Sequence, residues 1–480
     1  MKDWDEESGS LNFNTLRTLY GNGTLKPTDT IKAILGRISR RGEDGVWIFR
    51  EPKEKLFSRA REVESLANSI SSEALFITYP LYGLPFAVKD NIDWGDRPTS
   101  AGCSAYTYIP SRTASAVDRL LEAGAILIGK TNLDQFATGL VGIRSPYGVA
   151  QNPFDNRYIP GGSSSGSAVA VSAGLVSFSL GTDTAGSGRI PAGFNNIVGL
   201  KPTRGIVSTV GTVPACRSLD CISIFSLTVP DASNVLCVMA KEDQLDPFSR
   251  PIPSTWMGSK SQSPTIGVRV GVPRKEQLEF FGDSEAETLF SSAIKKVAET
   301  GANILEIDYS IFHKVANLLY EGPWVAERYT AIRNFFDTSS EALHPVTREI
   351  IEGGQKYSAA DVFEANYELE ALKKKALKPW SKMDVLLVPT SGTIYKINEV
   401  KASPFKLNTN LGYYTNFVNL LDLCCISVPS GFYSNGLPAG VTFIGSPYQE
   451  KFLCQLSSEF HEKLGLNLGS TPHKFMSVMS

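Results

Sequence analysis

Histidine is nearly missing from this chain: only His313, His344, His461 and His473 occur in 480 residues, and none sits in a local catalytic motif. A Ser-His-Asp triad would have to be assembled wholly from remote parts of the fold. The seven cysteines, with Cys424 and Cys425 adjacent, make no zinc-type ligand spacing and leave an odd thiol if paired. Reduced, packed, non-catalytic thiols are expected, and no metal site. No apolar run reaches the roughly 18 residues of a membrane span. The nearest, residues 168–180, is short, small-sided and broken by serine and glycine, as in a buried helix. Neither charge is in excess: the net charge is -2 and the pI ≈ 6.2, which gives no electrostatic reason to expect nucleic acid or an anionic membrane. The acidic start, Met1-Lys2-Asp3-Trp4-Asp5-Glu6-Glu7, lacks an apolar stretch and does not read as a secretory signal, which points to the cytoplasm. No internal repeat or low-complexity tract occurs.

What the chain does have is length, with 42% hydrophobic and 20% charged residues, enough for a large core. Helices are expected over 11–19, 28–38 behind a Pro27-Thr28 start signal, and 55–69. Residues 82–88 read as a short apolar strand that delivers Lys89 at its end. Residues 114–123 form an amphipathic pattern, and 124–129 a buried strand closed by glycines. This alternation predicts an α/β fold with a central mixed or parallel sheet covered on both faces by helices. Further strands are expected at 206–213, 266–272, 385–388 and 441–444, and helices at 285–300, 311–335, 359–377 and 451–464. Residues 251–265, rich in Ser and Pro, read as a surface loop. The simplest organisation is one domain over 1–480. Its parts are a mainly helical segment to residue 80, a catalytic core over 81–230, and the remainder with the substrate pocket over 231–475.

Two Gly/Ser clusters and one lysine suggest chemistry. Gly161-Gly162-Ser163-Ser164-Ser165-Gly166-Ser167 runs into a helix expected near Ser167, and Asp183-Thr184-Ala185-Gly186-Ser187-Gly188-Arg189 follows after a helix of about four turns. Flanking glycines let a carbonyl approach Ser187, and the N–H groups of Thr184, Ala185, Gly186 and Ser187 could converge as an oxyanion hole. That favours Ser187 as nucleophile. A lysine kept neutral by burial can replace histidine as base, and Lys89 fits in outline. The plainer readings are a surface Lys89 paired with Asp90, and a flexible or phosphate-binding Gly/Ser loop; the latter lacks the Lys-Ser/Thr ending of a P-loop. Gly162-Ser163-Ser164-Ser165-Gly166 also satisfies G-x-S-x-G, but an elbow must follow a strand, and residues 156–160 do not read as one. Asp183 and Arg189 are expected to pin the loop as a salt bridge.

Lys89, the two clusters and Gly199-Leu200-Lys201-Pro202-Thr203-Arg204-Gly205 resemble the amidase signature family in order and spacing, over nearly all of the chain. The resemblance implies that family's fold and a Ser-cisSer-Lys triad. Ser187 would be the nucleophile, Ser163 the bridging serine after a cis peptide, and Lys89 the ultimate base. Ser165 stands where the family has glycine. Ser218-Leu219-Asp220 is followed by Cys221-Ile222-Ser223 where the family pattern ends in glycine. This block and Tyr320-Glu321-Gly322-Pro323-Trp324-Val325-Ala326-Glu327-Arg328 resemble the allophanate hydrolase branch. That implies hydrolysis of allophanate in urea degradation, with Arg328 and Tyr320 as contacts for a small anionic urea derivative. Gly139 and the loop from Cys216 to Leu219 are further pocket candidates. Without the resemblance, Glu327 and Arg328 read as a surface charge pair on an ordinary helix. The branch also implies a homodimer, no cofactor for this domain, and biotin and ATP only in a fused or partner urea carboxylase. It implies further a C-terminal domain beyond the stretch present here. Another amidase of the family, aliphatic or of the glutaminyl transamidation type, and a non-catalytic amidase-like binding protein are the alternatives.

Overall fold

Among the described residues, the short apolar runs assemble into a single eleven-stranded sheet. The computed structural model describes residues 4–254, 256 and 266–475. The strands are β1 (Trp47–Arg50), β2 (Pro85–Lys89), β3 (Ile126–Thr131), β4 (Phe178–Asp183), β5 (Val198–Lys201), β6 (Cys221–Ser226), β7 (Arg269–Pro273), β8 (Asn303–Ile307), β9 (Val385–Pro389), β10 (Cys424–Phe432) and β11 (Pro438–Gly445). Their order is β1-β3-β2-β4-β6-β5-β10-β11-β9-β7-β8. β2 runs parallel to β3 and β4, and β7 parallel to β8 and β9, while the other neighbours are antiparallel, so the sheet is mixed. Every residue of β2, β3 and β4 is buried, as expected of parallel strands covered on both faces by helices.

Several expectations need correction. Residues 206–213 form a loop, with only an isolated Ile92–Thr212 bridge. Gly205 and Gly211 at its two ends both have φ +79°, a turn conformation that breaks strand geometry. The apolar run 168–180 is not one helix. The helix Ser165–Ser172 makes about two turns, not four. The chain then reverses through Gly174 at φ +65° and enters β4. The expected helix 311–335 is two, Ser310–Glu321 and Trp324–Ser339, broken at Gly322-Pro323, where proline has no N–H to continue the ladder. The N-terminal segment is helical (Phe13–Gly21, Pro27–Arg41, Lys53–Leu66, Ser72–Thr78) but also contributes edge strand β1. Of the expected loop at 251–265, residues 255 and 257–265 lie outside the described residues.

Candidate active site

Parallel pairing of β2 with β4 brings two chain ends to the same edge of the sheet. Lys89 closes β2, Asp183 closes β4, and the loop 184–188 continues from there. The connection runs back through the helix Ser165–Ser172, so Ser163 and Ser164, just before its first turn, fall at that edge as well. Three segments distant in sequence thus converge through one crossover.

Lys89 is completely buried. Its Nζ lies 2.7 Å from Ser163 Oγ and 2.7 Å from Thr182 Oγ1. Burial pulls its pKa down from 10.5 to about 7, against Asp134, Asp220 and Asp183, which favour the ammonium. Asp90 is not its partner: that carboxylate pairs at 3.0 Å with Lys130, also fully buried. The Gly162–Ser163 peptide bond is cis. Ser187 is 2% exposed, and no hydrogen bond of its Oγ is among those observed. Lys89 and Ser163 are therefore in contact, and Ser187 sits on the adjoining loop.

That loop is braced from below. Asp183 and Arg189, both fully buried, form a two-pronged ion pair at 2.8 and 2.9 Å. The Asp183 carboxylate also accepts the N–H groups of Gly186 (2.9 Å) and Gly188 (3.0 Å). The four-donor oxyanion hole thus needs revision, because the Gly186 N–H is already engaged. No hydrogen bond of the Thr184, Ala185 or Ser187 N–H groups is among those observed. Gly186 has φ +132°, and a Cβ there would stand 2.5 Å from Thr415 Oγ1, so both conformation and space exclude a side chain. Thr184 donates its hydroxyl to Asp220. The Ser165 hydroxyl turns toward Asn132 O at 3.4 Å, at the start of the helix.

The pocket candidates also converge. Arg328, 2% exposed, reaches Thr138 Oγ1 at 3.1 Å, Ala137 O at 3.4 Å and Tyr320 OH at 3.3 Å, and its guanidinium carbon stands 5.4 Å from the Tyr320 ring centre. Tyr320 and Arg328 come from two helices, not one kinked helix. Burial disfavours the Arg328 charge, but Tyr320, Cys216, Asp220 and Glu327 hold its pKa above the ordinary value. Glu327 does not pair with Arg328; it accepts from Ser218 N (2.6 Å) and Ser218 Oγ (2.7 Å). Gly139, at φ +146°, adjoins Thr138. A Cβ there would lie 2.9 Å from Asp134 Oδ2 and 3.0 Å from Arg144 Nη1.

Sequence reading missed Thr182, Asp134 and Asp220. Asp134 accepts N–H groups from Val141, Gly142 and Arg144, and its own N–H donates to Ser163 O at 3.0 Å. The available signal was position: Thr182 is the last residue of β4 before Asp183, but that strand was hidden in an apparent helix. Among the described residues no group of three or more His, Cys, Asp and Glu could hold a metal, and no helix is long and apolar enough to cross a membrane. All seven cysteines are free; Cys237 is exposed, contrary to the packed thiols expected.

The family model described as Amidase matches residues 51–454. A urea amidolyase of Saccharomyces cerevisiae is 43% identical over 437 residues, covering 90% of this chain but only 23% of that protein's length. A solved Kluyveromyces lactis allophanate hydrolase superposes with a TM-score of 0.89 at 40% identity, over 97% of this chain and 75% of that one. A peptide amidase of Stenotrophomonas maltophilia matches at 26% identity and a TM-score of 0.78, over 94% of this chain and 96% of that one. A family match of that extent, with relatives alike in fold across almost the whole chain, makes this protein a member of the amidase family.

Proposed function

We propose that this protein hydrolyses the terminal amide of allophanate, releasing ammonia and leaving N-carboxycarbamate, in urea degradation. The observation that carries the substrate is Arg328. Its guanidinium is buried and ion-pairs with no carboxylate among the described residues, being met only by a hydroxyl, a carbonyl and a phenol. No described carboxylate touches the guanidinium directly, and the carboxylate of a small anionic urea derivative would supply a charge-assisted, two-pronged partner there. Tyr320 and the backbone beside Gly139 would line the same pocket.

In this reading neutral Lys89 draws a proton through Ser163 from Ser187, whose Oγ attacks the amide carbon. The N–H groups of Thr184, Ala185 and Ser187 hold the developing oxyanion. The relay returns the proton to the leaving nitrogen, ammonia departs, and water cleaves the ester to restore Ser187. Asp183 and Arg189 keep the loop in place. The 2.7 Å contact of a buried Lys89 with Ser163 supports this proton path.

The comparisons with urea amidolyase support residues 1–480 as the amidase unit of a longer polypeptide. Biotin and ATP would belong to a urea carboxylase fused to it or working beside it. Seven free cysteines suit the cytoplasm. A homodimer is supported by the helix Ala359–Trp380, where Phe363, Tyr367 and Leu377, 60%, 70% and 64% exposed, share one outward face. Light scattering should give twice the 52.2 kDa chain mass.

The test of function is steady-state ammonia release from allophanate, with urea, biuret, malonamide and glutamine in parallel. Preference for allophanate is expected, abolished in Ser187→Ala, while Arg328→Ala should weaken allophanate use and spare slow turnover of neutral amides. Equal loss on both kinds of substrate would make Arg328 structural. Activity on another amide alone would keep the relay and discard the substrate, and silence on all five would favour a binding protein.

A further inference from the structure

One chain of contacts has no part in the chemistry above. The turn 215–220 lies between the helix Trp324–Ser339 and the Ser187 loop. It is closed by the N–H groups of Leu219 (2.8 Å) and Asp220 (2.9 Å), both donating to Cys216 O. On its outer side Glu327 takes both the N–H and the hydroxyl of Ser218. On its inner side the buried Asp220 carboxylate accepts the N–H of Ala215 (2.8 Å), the N–H of Cys216 (3.2 Å) and the hydroxyl of Thr184. Asn419 ties the same two segments again, donating to Asp183 O at 2.7 Å and Leu219 O at 2.8 Å. Glu327 and Arg328 are adjacent on one helix, so a shift of that helix carries both.

We infer that Glu327 and Asp220 are positioning residues that couple an anion bound at Arg328 to the placement of the oxyanion-binding loop. The inference rests on the assignment of Ser187 and Arg328 above. The path has two carboxylate junctions: helix to turn through Glu327 and Ser218, then turn to loop through Asp220 and Thr184. Each junction accepts at least two hydrogen bonds, which fixes a carboxylate in rotation as well as distance. A substrate that brings a carboxylate to Arg328 would draw the helix into one position and, through both junctions, set the Thr184 amide. A neutral amide would receive no such help. Specificity would then appear in turnover as well as in binding, as a coupling between sites.

The experiment is a double-mutant cycle on the whole 480-residue chain, with kcat and KM measured for allophanate and for malonamide. Glu327→Gln keeps one acceptor for Ser218 and should lower kcat on allophanate roughly tenfold, the loss typical of one hydrogen bond to a charged group, with KM within about twofold. Malonamide should lose several-fold less. Glu327→Gln added to Asp220→Asn should cost allophanate little beyond Asp220→Asn alone, because both cut one path. Ser218→Ala removes half of the Glu327 grip without stranding a charge and should give a smaller loss of the same pattern, which keeps the idea testable if Asp220→Asn does not fold. A raised KM with unchanged kcat, equal losses on both substrates, or additive losses in the cycle would each overturn the coupling. Failure here is separable from failure of the substrate assignment, since the latter is read from the unmodified protein's own preference among amides.

Discussion

Thr182→Val offers the sharpest test of a lysine base. Burial lowers the Lys89 pKa from 10.5 to about 7, which brings its deprotonation into the neutral range. Thr182 Oγ1, 2.7 Å from Nζ, accepts from the ammonium and so favours the charged form. Valine fills nearly the same space but cannot accept. Losing one hydrogen bond from a charged donor costs about 1.5 kcal/mol. At about 1.36 kcal/mol per unit this moves the Lys89 pKa down by about one. Asn91 Nδ2, at 3.4 Å from the same hydroxyl, keeps its bond to Val213 O at 3.2 Å, so the local backbone stays anchored. The assay is kcat/KM for malonamide, which titrates no group of its own near neutrality, across about pH 5 to 9. The unmodified protein should show an acid limb with a midpoint near 7, falling about tenfold per unit below it. The Thr182→Val limb should lie about one unit lower, leaving the variant relatively more active in acid. An unmoved midpoint, an upward shift, or a flat profile in the unmodified protein would refute a buried lysine as the group that must lose its proton.

Arg189→Met should destabilise the fold by about 3–5 kcal/mol, because it leaves Asp183 charged and buried without its partner; denaturant unfolding measures the loss, and a change under about 1 kcal/mol would show that the carboxylate is not held by that pair. Gly139→Ala should slow allophanate turnover more than that of malonamide, since its Cβ would press on Asp134 and Arg144 beside the Thr138 that Arg328 contacts; equal rates in kinetics would remove Gly139 from the pocket. Asp231 is pushed up by burial from 3.8 to about 7. The folded protein therefore holds a proton that the unfolded chain has released, and stability falls as pH rises through that window, with the full cost above about 7. Asp231→Asn should melt higher than the unmodified protein at about pH 8 and level with it at about pH 4, and a gap independent of pH would contradict the linkage.

Some of this protein was decided locally. The glycines around Ser163 and Ser187 mark backbone that must turn sharply or admit a carbonyl, and the continuous apolar runs around residues 85–89 and 126–131 announce strands buried on both faces. The scarcity of histidine, with a lysine closing one of those runs, points toward a base other than imidazole. Short apolar segments defeated the same reasoning: Phe178–Asp183 carries no pattern that separates a fully buried strand from the end of a buried helix, and residues 206–213 look like a strand until Gly205 and Gly211 bend them.

What only the tertiary structure decided depends on groups far apart in the chain. No periodicity could pair Lys89 with Thr182, direct Asp220 to Thr184, or send Glu327 to Ser218 and turn Arg328 to Thr138 and Tyr320. A side chain's partner is set by crossover connections and by which faces two elements bury against each other, and these are sums over the whole core. The lysine's protonation state has the same origin. Sequence supplied the amine; the lowering of its pKa to about 7 comes from a sheet and helices that exclude water from it.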